Sequence, residues 1–154
     1  FDTNRPVYFL ARGAGAANCF EAQLLWEEAV KLPASAMTTG EFRHGPQEWL
    51  EEGSRVVVWI HERRMRREDL GLVHDMRAVG AKVMLVGQGL ADAAADLALE
   101  LPAIEPDWQF VTEIIPVQLA AEHLSRMRGV ECDTFRYCDF VVESEEGLGK
   151  SRSG

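Results

Sequence analysis

The sequence predicts an α/β fold, a three-layer α/β/α sandwich built on a parallel sheet. Three observations lead there. Short apolar runs of strand-forming residues alternate with helical segments, the connections between them are short, and the central runs show no polar alternation, as befits strands covered on both faces. "RVVVWI" (Arg55–Ile60) and "KVMLVG" (Lys82–Gly87) are the clearest of these runs.

The elements follow in order. "VYFLA" (Val7–Ala11) reads as the first strand and is ended by "RGAG". A helix is expected from about Ala16 to Val30. Phe20 and Leu24 are four apart, and Cys19, Trp26, Ala29 and Val30 lie on or near that side, which reads as the apolar face. Lys31-Leu32-Pro33 stops it. "ASAMT" (Ala34–Thr38) reads as a short second strand, and Pro46 suits the first turn of a helix over about 46–52. Arg55–Ile60 is the third strand, followed by a helix from about Arg67 to Val79 that Gly80 closes. Lys82–Gly87 is the fourth strand and "LALEL" (Leu97–Leu101) a short fifth. The last helix spans about Phe110 to Arg128, with Ile114, Val117, Ala121 and Leu124 on one face and Gly129 at its end. Pro116 lies inside it and predicts either a kink or a start nearer Ile115.

Composition narrows the function classes. A chain of 154 residues, 47% hydrophobic and 27% charged, fits one globular domain with a real core. The formal charge of -9 and pI near 4.9 leave no broad basic surface for nucleic acid or an anionic membrane. No apolar run approaches the roughly 18 residues of a membrane span. The polar opening "FDTNRP" does not read as a secretory leader, and a first residue other than Met leaves room for sequence upstream. Three cysteines (Cys19, Cys132, Cys138), an odd and sparse set without metal spacing, point to reduced thiols and a cytoplasmic protein. "GLGKSRSG", the tail over 147–154, reads as flexible.

In open parallel sheets, ligands sit at the carboxyl ends of the strands. Three loops qualify: "RGAG", "TGEFRHGP" and "HERRMRRED". The first bears Gly13 and Gly15 ahead of a helix, where free N–H groups hold an anion, or else it is a tight turn; it is not G-x-G-x-x-G, since Asn18 stands at the third glycine's place. In the second, His44 lies between Gly40 and Gly45, which allow close approach of a ligand, and is a candidate general acid or base. In the third, "RRMRR" (Arg63–Arg67) is a compact positive cluster, either solvated or facing a phosphate or an acidic surface. Glu21, Leu25 and Glu28 share one stripe of the first helix. They form a solvated flank, or Glu28 is a half-buried carboxyl among Trp26, Ala29 and Val30 that exchanges protons near neutrality. No His pair has metal spacing and no cofactor motif is present.

"FLARGAGAANCFEAQLLWEEAVKLPASAMTTGEFRHGP" resembles the second half of a sugar isomerase (SIS) domain protein. The family hallmark is a Gly-rich loop, a helix carrying a Glu, then G-E-x-x-H-G-P. The resemblance spans about residues 6–143 and implies a flavodoxin-like, five-stranded parallel sheet between helices, with residues 1–146 as one SIS domain. Within the family the isomerase domain of glucosamine-6-phosphate synthase is similar, though it has lysines where this chain has Leu25 and about Phe140. The fructosamine-6-phosphate deglycases look closer, matching Gly13-Ala14-Gly15, Gly40 to Glu48, and "TFRYCDFVVE" (Thr134–Glu143). The resemblance implies Glu28 and His44 as an acid–base pair acting on a ketose or amino-sugar 6-phosphate. It further implies Arg12, Gly13, Gly15, Glu21, Gly45 and Tyr137 as substrate-binding residues, no metal or other cofactor, and a homodimer with the site at the interface. The alternatives it leaves open are an aldose–ketose isomerase, a deaminase of amino-sugar phosphates and a non-catalytic sugar-phosphate binding module. The Ser/Thr-rich phosphate loop of a first SIS half does not occur in residues 1–154.

Overall fold

The computed structural model describes residues 5–137 apart from Glu62 and Arg64. The tail, Cys138 and the end of the Thr134–Glu143 segment lie outside the described residues. Five strands, β1 (Val7–Ala11), β2 (Ala34–Thr38), β3 (Arg55–Ile60), β4 (Lys82–Gly87) and β5 (Leu97–Glu100), form one sheet in the order β2-β1-β3-β4-β5. Every pairing is parallel. This is the flavodoxin-like order, with its switch point between β1 and β3. The strand ranges agree with the sequence reading, β5 ending one residue early.

Pleating splits each strand between two cores. Val7, Phe9 and Ala11 of β1, Val57 and Trp59 of β3, and Met84 and Val86 of β4 face one side. There they meet α1 (Gly15–Leu25) and α4 (Gln109–Met127), which contribute Cys19, Ala22, Val117, Ala121 and Leu124. The alternate residues, Leu10, Val56, Val58, Ile60, Val83 and Leu85, meet Leu72, Val73 and Met76 of α3 (Arg66–Ala78). Each fully buried aliphatic side chain here contributes about 1.5–3 kcal/mol of hydrophobic free energy. Rings stiffen both layers: Phe9 stands edge-on to Trp26 at 5.2 Å, and Tyr8 stacks on Trp49 at 4.4 Å.

Five local expectations change. The first helix runs as far as expected, but its last turn, Trp26–Val30, is a π-turn: the Lys31 N–H donates to the Trp26 carbonyl, and Lys31 takes a left-handed conformation at φ 60°. Phe20 and Leu24 do not face the sheet; they are 59% and 47% exposed, and the inward stripe is Asn18, Cys19, Ala22, Trp26 and Val30. The helix expected over 46–52 is a four-residue 3-10 turn, Pro46–Trp49. Ahead of it, "TGEFR" is not loop but a short helix, α2 (Thr39–Arg43). α4 passes through Pro116 without a break, starting at Gln109. Its expected face is right: Val117, Ala121 and Leu124 are buried and Ile114 packs against the same core.

Candidate functional site

The predicted site residues other than Glu21 fall into two groups at opposite edges of the sheet. Arg12, Gly13, Gly15, His44 and Gly45 lie beyond the carboxyl ends of β1 and β2. Glu28 and Tyr137 lie at the amino edge, where α1 has run back to the start of β2. The five residues of β2 stand between the groups and alone span roughly 15 Å. One chain therefore does not bring Glu28 to His44.

At the carboxyl edge, Asp69 of α3 organises the cluster. It is fully buried, and its Oδ1 accepts from Arg12 Nε at 2.7 Å and from Thr39 Oγ1 at 2.8 Å. This ties the β1 loop to the first turn of α2. Thr38 caps that turn in a capping box: its hydroxyl accepts the Glu41 N–H at 3.1 Å, and the Glu41 carboxylate accepts the Thr38 N–H at 2.9 Å. The Thr38 N–H and then its hydroxyl hold the Glu41 carboxyl below the usual glutamate range. Arg43 pairs with Asp75 of α3 at 2.9 Å. Glu41 and Arg43 thus brace the segment. His44 closes it as the C-cap, with its imidazole exposed and without a hydrogen-bond partner among the described residues.

The sequence left the "RGAG" loop open between an anion site and a tight turn. The N–H groups of Gly15, Ala16 and Ala17 donate to the carbonyls of Arg12, Gly13 and Ala14 at 3.1–3.2 Å, so the "RGAG" loop is a tight turn with its first donors engaged. Gly13 takes φ 58°, and a Cβ on Gly15 would stand 3.2 Å from Ala11 Cβ, which explains both glycines by conformation and close packing. After His44, Pro46 has no N–H and the Glu48 N–H donates to the Gly45 carbonyl at 2.9 Å. Arg66 of the positive cluster donates to the carbonyls of Gln88 and Gly89, bracing the loop after β4.

At the amino edge, Glu28 lines a cleft of about 320 Å³ with Glu27, Lys31, Leu32, Pro33 and the segment Phe135–Tyr137. The structure thus brings Glu28 and Tyr137 together. Glu28 is exposed rather than half-buried, because the apolar neighbours Trp26 and Val30 turn toward the sheet while it turns outward. Glu21 is exposed about two turns earlier and does not line this cleft. Lys31 Nζ donates to the Glu28 carbonyl and, at 2.6 Å, to the Thr134 carbonyl, and sits 5.8 Å from the Phe135 ring centre. It fastens the C-terminal segment over the end of α1.

Sequence reasoning missed Lys31, Arg136, Asp69 and Glu113. Glu113 is buried on α4 beneath the switch point, where its two carboxylate oxygens accept from Asn18 and Gln109, each at 2.8 Å, and its carbonyl accepts from Trp59 Nε1. Burial pushes this carboxyl above the usual range, against the two donors and the His61 imidazole. Its place on the Val117–Ala121 stripe, four residues earlier, was the available signal. Burial, with Glu113 adding, also pushes the Cys19 thiol up, which disqualifies it as a nucleophile. Among the described residues, Glu131, Cys132 and Asp133 form the one group with metal-ligand atoms within 4.8 Å of one another, three consecutive residues on a surface turn.

No model of a known protein family matches the chain. It is 28% identical over 137 residues to a glutamine–fructose-6-phosphate aminotransferase (isomerizing) from Leifsonia xyli, covering 84% of this chain and 22% of that protein. The chain thus spans about a fifth of the length of such relatives. Its fold matches the C-terminal domain of glucosamine-fructose-6-phosphate aminotransferase from Francisella tularensis, with TM-score 0.78, 23% identity and coverage of 86% of this chain and 38% of that one. It also matches tagatose-6-phosphate ketose/aldose isomerase from Escherichia coli, with TM-score 0.72, 24% identity and coverage of 84% and 37%.

Proposed function

We propose that this chain, a sugar isomerase (SIS) domain by fold and by sequence resemblance, acts on ketose and amino-sugar 6-phosphates, as a fructosamine-6-phosphate deglycase. The observation that carries the reading is the pair of separated half-sites. Glu28 opens onto a cleft with two cations and Tyr137, while an unpartnered His44 is held out from the opposite edge by its capped helix. Each is incomplete alone, and each is completed when a second chain presents its carboxyl edge to the cleft.

The chemistry needs one group that takes a proton and one that gives it. From an open-chain ketose phosphate with an amine on C1, one partner removes the C1 proton as the C2 carbonyl oxygen is protonated. Return of a proton to C2 yields the C1 imine, and water then releases the amine and the aldose phosphate. In this reading the phosphate meets Lys31 and Arg136, which line the same cleft as Glu28. Arg12, fixed by Asp69 beside Gly40, serves the partner's cleft from the other edge together with Gly13, Gly15 and Gly45.

A second reading, an aldose–ketose isomerase, shares the proton shift and lacks the hydrolysis. The sequence likeness to isomerizing aminotransferases favours it. Release of free amine and glucose 6-phosphate from a fructosamine 6-phosphate, by the full-length protein carrying this chain, separates the two. Glu28→Gln and His44→Ala should each abolish turnover, and mixing the two inactive variants should restore part of it. Turnover that survives both substitutions removes the assigned roles.

A further inference from the structure

At the amino edge of the sheet, where β3 and β4 begin, the chain gathers cations. Arg55 and Lys82 open these strands and stand side by side in register. Pleating puts them on the same face as Val57 and Met84, two residues further on. Arg5 reaches the same place from ahead of β1, where its Nη1 donates to the Glu52 carbonyl at 2.9 Å. Gly53, at φ 80°, leaves room for it, since a Cβ there would stand 2.9 Å from Arg5 Nη1. The three cations line an open cavity of about 550 Å³.

One carboxylate lines the cavity too. Asp96 is held by Lys82 at 3.1 Å, by Arg77 at 3.6 Å and by the Val83 N–H at 3.0 Å. Glu51 comes within 3.7 Å of Arg5 but is 75% exposed, and an ion pair in that setting contributes little. The chain as a whole carries -9 and repels anions over most of its surface. A concave local excess of positive charge is therefore the place that attracts them.

The cavity does not end at its cations. Met84 and Leu97, register partners on β4 and β5, line it and also line a second space of about 230 Å³ on the same face. That slot lies between Val57 and Leu99 of the sheet and Val117 and Leu124 of α4, and its one ionisable residue is His123. Leu97, on the edge strand, stays 47% exposed between the two spaces. An apolar body with a few convergent polar groups is the usual form of a small-molecule site.

We propose that the two spaces form one site, which takes a phosphate monoester with a short apolar tail. The phosphate sits among Arg5, Arg55 and Lys82, and the tail runs under α4. The site does not depend on the roles given to Glu28 and His44. The Glu28 cleft opens at the start of β2, three strand places from β4, and shares no lining residue with it.

Butyl phosphate is the probe, titrated into the full chain by calorimetry, with inorganic phosphate as the head alone and butanol as the tail alone. Butyl phosphate should bind about tenfold or more tighter than either, because the slot removes its tail from water while the cations hold its head. It should also change tryptophan fluorescence, since Trp26 lines the slot. Arg5→Ala and Lys82→Ala should each weaken it about fivefold or more. Ala120→Phe, which fills the slot, should bring it down to the affinity of inorganic phosphate; Ala120→Met stands in if circular dichroism shows that variant unfolded. Lys31→Ala, in the Glu28 cleft, should leave the affinity unchanged. Absence of saturable binding, equal affinity for butyl phosphate and inorganic phosphate, or loss of binding in Lys31→Ala but not in Lys82→Ala overturns the inference.

Discussion

Asp69 holds the carboxyl edge together, and its replacement has a cost that follows from the structure. The carboxylate is 0% exposed, with Oδ1 accepting from both Arg12 and Thr39. Asp69→Ala leaves two donors without an acceptor. Thr39 is itself fully buried, so its stranded hydroxyl costs about 1–3 kcal/mol. The Arg12 side chain is 27% exposed, so water recovers part of its loss, and its share is nearer 1 kcal/mol. The expected sum is about 3 kcal/mol, at the lower end of the range for breaking a buried ion pair. Asp69→Asn keeps an acceptor for Thr39 but loses the charge. It also places an amide N–H where Oδ2 is now buried without a partner, so about 1–2 kcal/mol is expected. Urea unfolding followed by tryptophan fluorescence reads both, since Trp26 and Trp59 are buried in the core. A double-mutant cycle with Arg12→Ala isolates the pair. A loss below about 1 kcal/mol for Asp69→Ala, at unchanged urea dependence, would refute the view that this carboxylate anchors the edge.

Two further outcomes are expected. Glu113 has its folded-state carboxyl raised by burial, so its contribution to stability is present below the unfolded value, about 4.3, and is lost as pH rises through the folded one. Urea midpoints should therefore fall from mildly acid toward neutral pH in the parent chain and fall less in Glu113→Gln, and parallel curves would contradict this. Gly87→Ala would set a Cβ 2.5 Å from the Ile60 carbonyl oxygen and should cost about 2–3 kcal/mol, measured by thermal unfolding; a loss within about 0.5 kcal/mol would show that β3 and β4 shift apart freely.

Much of the fold was legible in the sequence because its signals are local. Val56–Ile60 and Val83–Val86 are β-branched or apolar at every position, which suits a strand buried on both faces and little else. α2 was legible in principle too: Thr38 and Glu41 stand three apart, the spacing of a capping box, yet the Gly-Pro that follows drew the expected helix start to about residue 46, seven residues after Thr39. The pairing of Glu28 with His44, sixteen residues apart, came from the resemblance and from no local signal.

What the sequence determined by itself was the set of strands, the longer helices, and the burial of the central strands on both faces. What only the tertiary structure decided was direction. α1 has two apolar rows, and composition alone favours the larger side chains, Phe20 and Leu24. The sheet accepted Cys19, Ala22 and Trp26, of which Cys19 and Trp26 were expected near that face, and left Phe20 and Leu24 outward; at the start of the helix β1 lies close enough that a Cβ at Gly15 would stand 3.2 Å from Ala11 Cβ. The same geometry set Glu28 and His44 at opposite edges. A helix that returns antiparallel to its strand ends where the next strand begins, so a residue at its close and one past that next strand are separated by the full height of the sheet.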